Sequence, residues 1–277
     1  MPRGVSRLDE AQLQGRLWTP ALLPSLALWL DAGDLSTLTI PSTTLVSQWR
    51  DKSGYNRHFA QSNINVRPLY RAQGFNGRPC LENATGDSMA IGSSGLGRNV
   101  GCITCAIVGS HPVAAFTSNS SELSITSGTS GARFFMSPNP NATNAYGFAS
   151  KRLDAESVAN FSSSTDALAN RGSPWIRIGQ MVYSGAVGYH WTNGVQDMTA
   201  LAGGASGNTS DTNSVGGSIF SLTPNGTKLS EIVLTHSELN QKEREALEGY
   251  LAWHWWGDAN TLQATHRFRN RPSLIGD

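Results

Sequence analysis

The sequence predicts an all-β fold, a two-sheet antiparallel sandwich closed by one C-terminal amphipathic helix. Short apolar runs alternate with Gly-, Asn- and Ser-rich turns along most of the chain, the pattern of many short strands. No strand–helix–strand alternation occurs, which argues against a parallel α/β sheet. The exception is Ser230–Trp256, SEIVLTHSELNQKEREALEGYLAWHWW, where an apolar strand runs into a single helical stretch that ends in tryptophans.

Residues 1–25 carry little core character. A helical turn around Leu8–Leu17 is followed by WTPALLP, whose Pro20 and Pro24 stop any continuation. The segment reads as a docking arm, with a solvated leader as the alternative. Leu26–Asp31, LALWLD, is the first strand. Val46–Trp49 is the second, ending in a polar turn on Ser53-Gly54. Pro68–Tyr70 and Pro79–Glu82 flank an Asn76-Gly77 turn. Gly101–Gly109 is the most apolar run and is expected at a sheet centre. Between residues 110 and 173 small polar residues dominate. Only Arg133–Met136 and Tyr146–Phe148 read as strands there, between loops of a length usually tied to function, disorder or a bound partner.

Trp175–Tyr183 alternates, with Ile176, Ile178 and Val182 on one face and Trp175, Met181 and Tyr183 on the other. Val187, Tyr189 and Trp191 share a face of the next run. Asn193-Gly194 then makes a two-residue hairpin turn, whose central positions both need positive φ. Gly203–Gly217 is a flexible small-residue segment. Ile219–Leu222 and Leu229–Leu234 are the last strands, with Pro224-Asn225-Gly226 turning between them.

Asn240 caps the helix, and Glu243 three residues on completes a capping box. Leu239, Ala246, Leu247, Tyr250, Leu251 and Trp253 form one broad stripe, whose burial contributes roughly 10 kcal/mol before entropy is counted. Gly257 is a natural stop. Trp253, Trp255 and Trp256 read as packing at a helix end, with a sugar platform as the alternative. Asp258–Asp277 is a basic tail carrying His266, Arg267, Arg269 and Arg271 around Phe268.

A net charge of +1, with 15% charged residues, creates no field for holding nucleic acid or an anionic membrane, so neither is expected as a partner. The three cysteines, Cys80, Cys102 and Cys105, are too few for a disulfide framework. Cys102 and Cys105 have CxxC spacing, but within a strand they point to opposite faces, so packing is the expected role. The opening residues have no apolar signal segment and no stretch approaches a membrane span, so synthesis in the cytoplasm is expected.

Three segments carry a family resemblance. PWIRIGQMVYSGAVGYHWTNGVQD resembles the paired strands of the laminin-G-like, concanavalin A-like jelly-roll domain. LSEIVLTHSELNQKEREALEGYLAWHWW resembles its closing strand and helix. LALWLDAGD, followed by VSQWRDKSGYNRHFAQ and FNGRPCLENATGDSM, is similar to the opening of the version carried by many bacteriophage virion proteins and some secreted bacterial proteins, and the leader SRLDEAQLQGRLWTP shares that look. The resemblance implies a jelly-roll sandwich over residues 26–257, between a docking arm at 1–25 and the basic tail at 258–277.

That fold also hosts glycosidases and lyases. A retaining glycosidase needs two nearby carboxylates, often on a Glu-x-Asp-x-x-Glu strand, and no such strand occurs. The acids fall in turns (Asp31, Asp34, Asp51, Asp87, Asp211) or on the expected helix surface (Glu243, Glu245, Glu248). Tyr189 and His190 are strand neighbours facing opposite sides, so they do not form a lyase pair with each other, and His190 with a distant Arg or Tyr stays open. No catalytic residue is assigned. No zinc or EF-hand motif occurs, and no cofactor is expected. The resemblance leaves calcium open at Asp51 or Asp87, against the simpler reading of turn stabilisation.

Trp175, Tyr189 and Trp191 are the candidate glycan contacts, with burial in the core as the competing role. Arg3, Arg7, Arg16, Trp18, Arg267, Phe268 and Arg269 are the candidate docking residues. The expected function is that of a bacteriophage virion structural protein on the particle surface, a capsid decoration or tail-fibre component. Its expected partners are a major capsid or tail protein, further copies of itself and host surface glycans. A free lectin or adhesion module is the alternative, and a polysaccharide-degrading enzyme the third reading.

Overall fold

The computed structural model describes residues 17–98, 100–112, 120–127, 131–138, 145–151, 159–166, 172–201 and 215–277. In chain order its strands are β1 (Leu26–Asp31), β2 (Leu38–Thr39), β3 (Gln48–Trp49), β4 (Phe59–Ala60), β5 (Leu69–Phe75), β6 (Arg78–Glu82), β7 (Met89–Ile91), β8 (Cys102–Ser110) and β9 (Ser121–Ser127). They continue with β10 (Gly131–Ser137), β11 (Ala145–Ser150), β12 (Ala159–Asp166), β13 (Pro174–Val182), β14 (Val187–Thr192), β15 (Val195–Leu201), β16 (Val215–Ser221) and β17 (Lys228–Thr235). One helix, α1 (Gln241–Trp256), follows the last strand.

The strands form two antiparallel sheets. The first has the order β15-β14-β13-β8-β17-β6-β5. Beside β17, β6 pairs at Lys228–Leu229 while β1 pairs along Glu231–Thr235. The second has the order β12-β11-β10-β9-β16-β7-β4-β3-β2. As its apolar run predicts, β8 is central, between β13 and β17. The two-residue turns also form as expected, with Asn76 and Gly77 at φ 45° and 71° and Asn193 and Gly194 at 52° and 77°.

The sheets pack face to face through Leu123, Ile125, Phe134, Met136, Phe148 and Phe161 of the second sheet. These side chains come close enough that Gly188 on β14 leaves no space for a side chain, since a Cβ there would lie 2.4 Å from Phe161. An ionic group sits inside this layer. Arg177 Nη1 donates to Glu122 Oε1 at 2.5 Å, and Nη2 donates to the carbonyls of Ser137 and Gly147.

The helix lies on the outer face of the first sheet. Its capping box is closed by both bonds, Glu243 N to Asn240 Oδ1 (3.1 Å) and Asn240 N to Glu243 Oε2 (3.0 Å), and Gly257 ends it at φ 74°. Leu239 N donates to Gln180 Oε1 on β13, fastening the helix entrance to the sheet. Helix cover is why both faces of β13 are buried, although the alternation of its side chains is as expected.

Several expectations change. Ser121–Ser127 and Ala159–Asp166 are strands and not loop, because β10 and β16 beside β9, and β11 beside β12, supply pairing that their Ser-rich sequences do not advertise. β16 starts inside the expected small-residue segment, of which residues 202–214 lie outside the described residues. The 258–277 tail packs against the rest of the chain. Leu262, Phe268 and Ser273 are buried, Leu274 bridges to Leu17, and Trp18 N donates to the Ser273 carbonyl at 3.0 Å. The described end of the leader and the tail thus close over the helix together.

Candidate functional site

A cleft of about 760 Å³ opens where β1, the turn after β3, the start of β6, the last turns of α1 and the two terminal segments meet. Trp18, Trp29, Tyr250 and Trp253 line it with aromatic rings, and Asp31, Lys52, Arg78 and His254 line it with charge. Helical spacing brings Tyr250, Trp253 and His254 to one face, and strand alternation puts Trp29 and Asp31 on the side of β1 turned toward the helix.

Glu231 of β17 lies beneath this cleft, fully buried. Its Oε1 accepts from Trp29 Nε1 (2.7 Å) and Tyr250 OH (3.1 Å), and its Oε2 from Trp255 Nε1 (2.6 Å). One carboxyl therefore ties a strand to two helix residues. Burial, with the charge of Asp31 adding to it, pushes its pKa up to about 7. Asp31 accepts from Lys52 Nζ at 2.9 Å and lies 3.8 Å from His254 Nε2. Burial would raise the Asp31 carboxyl, but His254 and Lys52 outweigh it and hold the group below its ordinary value. Burial likewise opposes the His254 imidazolium, and Asp31 and Glu231 outweigh it, so that pKa is raised. Lys52 also reaches Asp34 Oδ2 at 3.1 Å and lies 4.2 Å from the Trp29 ring centre.

Asp31, Glu231 and His254 bring one ligand atom each within 4.8 Å of one another. The donors around them are already supplied by the protein: Lys52 and the Gly33 amide on Asp31, and three N–H or O–H groups on Glu231. With Glu231 fully buried and its oxygens so engaged, the pair of acids presents one carboxylate to the cleft and not two. The arrangement suits binding, by stacking and by charge-assisted hydrogen bonds.

The residues singled out from sequence are placed differently. Trp175 is 1% exposed and lies between the sheets, 5.0 Å from the His111 ring and 5.1 Å from the Arg177 guanidinium. Tyr189 and Trp191 stack at 5.8 Å on the opposite, helix-covered face of the same sheet, so the three rings do not form one platform. Trp191 is 6% exposed and is covered by Arg244, though its edge meets a smaller polar hollow of about 300 Å³ with Gln196, Gln241, Gln263 and His266. Tyr189 is half-buried.

The described docking candidates make contacts within the chain itself. Phe268 is fully buried against the helix. Arg269 Nη1 donates to the Ala259 and Leu262 carbonyls. Arg267 lies 3.8 Å from Asp277 and stacks on Phe268. Trp18 packs on Tyr250 at 6.0 Å and is part of the cleft. These four hold the protein's own tail and leader in place. Arg3, Arg7 and Arg16 lie outside the described residues. Glu248, expected on the helix surface, is buried and pairs with Arg244 (2.8 Å) and His266 (3.0 Å), because the tail covers that face. Asp51 accepts from the amides of Trp29, Ser53 and Arg57, and Asp87 from that of Ala84, so both aspartates hold turns.

No protein-family model matches the chain, and no curated protein matches it. Among solved structures it is similar to the binding domain of botulinum neurotoxin DC in complex with SialylT, with 15% identity, a TM-score of 0.54, and coverage of 84% of this chain and 52% of that one. A structure concerning botulinum neurotoxin type C, whose cell entry is described as dependent upon interaction with two ganglioside molecules, is similar at 14% identity and a TM-score of 0.55, over 82% of this chain and 51% of that one. Trypanosoma rangeli sialidase in complex with sialic acid is similar at 14% identity and a TM-score of 0.50, over 81% of this chain and 32% of that one. The chain thus spans a third to a half of the proteins it resembles. At these identities the likeness is one of fold, and it places the chain among two-sheet antiparallel β-sandwich proteins.

Proposed function

We propose that this chain is a carbohydrate-binding β-sandwich carried on the surface of a bacteriophage particle, as a capsid decoration or tail-fibre component. The observation that carries the binding reading is the cleft itself, with four aromatic rings around a set of charged hydrogen-bonding groups. Sugars present C–H faces to aromatic rings and hydroxyls to charged groups, and a concave site with both is suited to them. The rings are held before any ligand arrives: Trp253 Nε1 donates to the Phe268 carbonyl at 2.9 Å, and Trp29 and Tyr250 donate to Glu231. Holding them in advance lowers the entropy lost on binding. Similar folds in complexes with SialylT and with sialic acid support the same reading.

The particle assignment is supported by the resemblance of LALWLDAGD and the segments after it to phage virion versions of the fold. Residues 1–25 are the proposed docking arm to a capsid or tail protein. Many copies on one particle would turn a weak single-site affinity into firm attachment. The test has two arms. Purified protein on a glycan array is expected to bind, and a Trp253→Ala variant to lose that signal; an array without hits sinks the binding reading. Mass spectrometry and antibody labelling of purified particles are expected to find the chain on the virion, and its absence there would favour a free lectin.

A further inference from the structure

The charges along the cleft are unevenly matched. Lys52 is engaged by Asp31 and Asp34, and His254 faces Asp31. Arg78, at the start of β6, lines the cleft and is exposed. Its side chain makes neither an ion pair nor a hydrogen bond with any of the described residues. Its guanidinium lies near the end of α1, where a Cβ on Gly257 would be 3.7 Å from Nη2. A guanidinium is a planar fork of donors that fits a carboxylate with two parallel bonds. Here it stands beside fixed aromatic rings, without a carboxylate of its own.

We propose that the cleft takes a carboxylate-bearing sugar, a uronic or sialic type of residue, and that Arg78 receives the carboxylate while the Trp253 and Trp18 rings hold the sugar. The proposal rests on the glycan-binding reading of this cleft and adds the class of glycan. His254 lies on the same wall and faces Asp31, so Arg78 is the cation there without an acid of its own. The acids nearby do not cancel this preference: Asp31 and Asp34 both face Lys52, and Glu231 is buried under its three donors. A neutral sugar would stack equally well but would leave Arg78 unpaired as water is displaced.

The experiment compares pairs of oligosaccharides that differ only in a carboxylate: uronic against neutral hexose ends, and sialylated against desialylated ends. Titration by NMR or calorimetry is expected to show the acidic member binding at least about tenfold more tightly, the scale of one charge-assisted contact. Arg78→Gln should erase that difference, and Arg78→Lys, keeping the charge without the fork, should retain part of it. Unchanged thermal unfolding would show that both variants fold. Equal affinity for the two members overturns the acidic preference and leaves glycan binding standing. A preference that survives in Arg78→Gln overturns the role of Arg78. Failure of both members to bind wild-type protein overturns the proposal together with the reading beneath it.

Discussion

Gly249 lies directly under Phe268. A Cβ on this glycine would fall 2.6 Å from Phe268 Cβ and 2.8 Å from its Cγ, so the tail is seated on the bare backbone of the helix. A glycine inside a helix costs about 1 kcal/mol relative to alanine, and here it secures the contact that brings Trp253 Nε1 to the Phe268 carbonyl. Gly249→Ala is therefore expected to destabilise by about 1–3 kcal/mol, because overpacking outweighs the gain in propensity. Urea unfolding checks this, and a stabilised variant would mean the tail is not seated there.

The two candidate sets of aromatic residues separate by substitution. Trp175→Ala is expected to cost about 3–5 kcal/mol, the range for emptying a core site, since its ring is enclosed between the sheets. Trp253→Ala is expected to lower affinity for an array-selected glycan at least about tenfold, with a smaller loss of stability, because its ring is only partly buried. Thermal unfolding and glycan titration on the same two variants decide the matter. Binding that depends on Trp175 in still-folded protein would return the site to the sandwich interior.

Much of the fold is legible in the sequence where local chemistry sets it. The Asn240–Glu243 capping box, the Asn-Gly turns and the apolar run of β8 all form where their residues imply. The cleft is not legible, because it depends on residues far apart in the chain. Trp29 and Glu231 are 202 positions apart, and a single Glu inside the apolar run LSEIVLT reads as a strand residue until the helix is laid over it. Strand periodicity alone also does not say which face is inside. It put Trp175 and Trp191 on definite faces but could not reveal that helix and tail cover the outer one. The seating of the tail is not legible either, because Leu262 and Phe268 are isolated among polar and charged residues.

The ion pair between the sheets makes a different kind of prediction. Burial would raise the Glu122 carboxyl, but Arg177 and His111 outweigh it and hold it at about 2. Glu122→Gln removes the counter-charge and leaves Arg177 charged and fully buried, with only neutral acceptors: the Ser137 and Gly147 carbonyls, His190 Nε2 and the new amide. Breaking such a pair costs about 3–5 kcal/mol, and chemical denaturation should show a loss of that size. Replacing both partners, as in Glu122→Leu with Arg177→Met, should recover much of it, since no uncompensated charge remains. A double variant no better than the single one would show that the arginine's carbonyl contacts matter more than its charge pairing.

Glu231 should make the stability depend on pH in a direction opposite to most carboxylates. Its folded pKa of about 7 lies above the ordinary 4.5, so folding favours the protonated acid. The contribution is fully present below the unfolded value and is lost as pH rises through about 7, because the buried group must then ionise or the protein must open. His236 works against this trend over the same range. Burial lowers its pKa to about 4, and its stabilising contribution is lost as pH falls below the ordinary histidine value. The wild-type profile mixes the two, so the informative quantity is the difference between wild type and Glu231→Gln. Glutamine keeps an acceptor for only part of the donor set from Trp29, Tyr250 and Trp255, which should cost about 1–3 kcal/mol at acidic pH. Raising the pH from 5 to 8 should then narrow the gap, since only the wild type carries the growing penalty. Urea unfolding at several pH values measures it, and a gap that stays constant or widens with pH would show that Glu231 is not protonated in the folded protein.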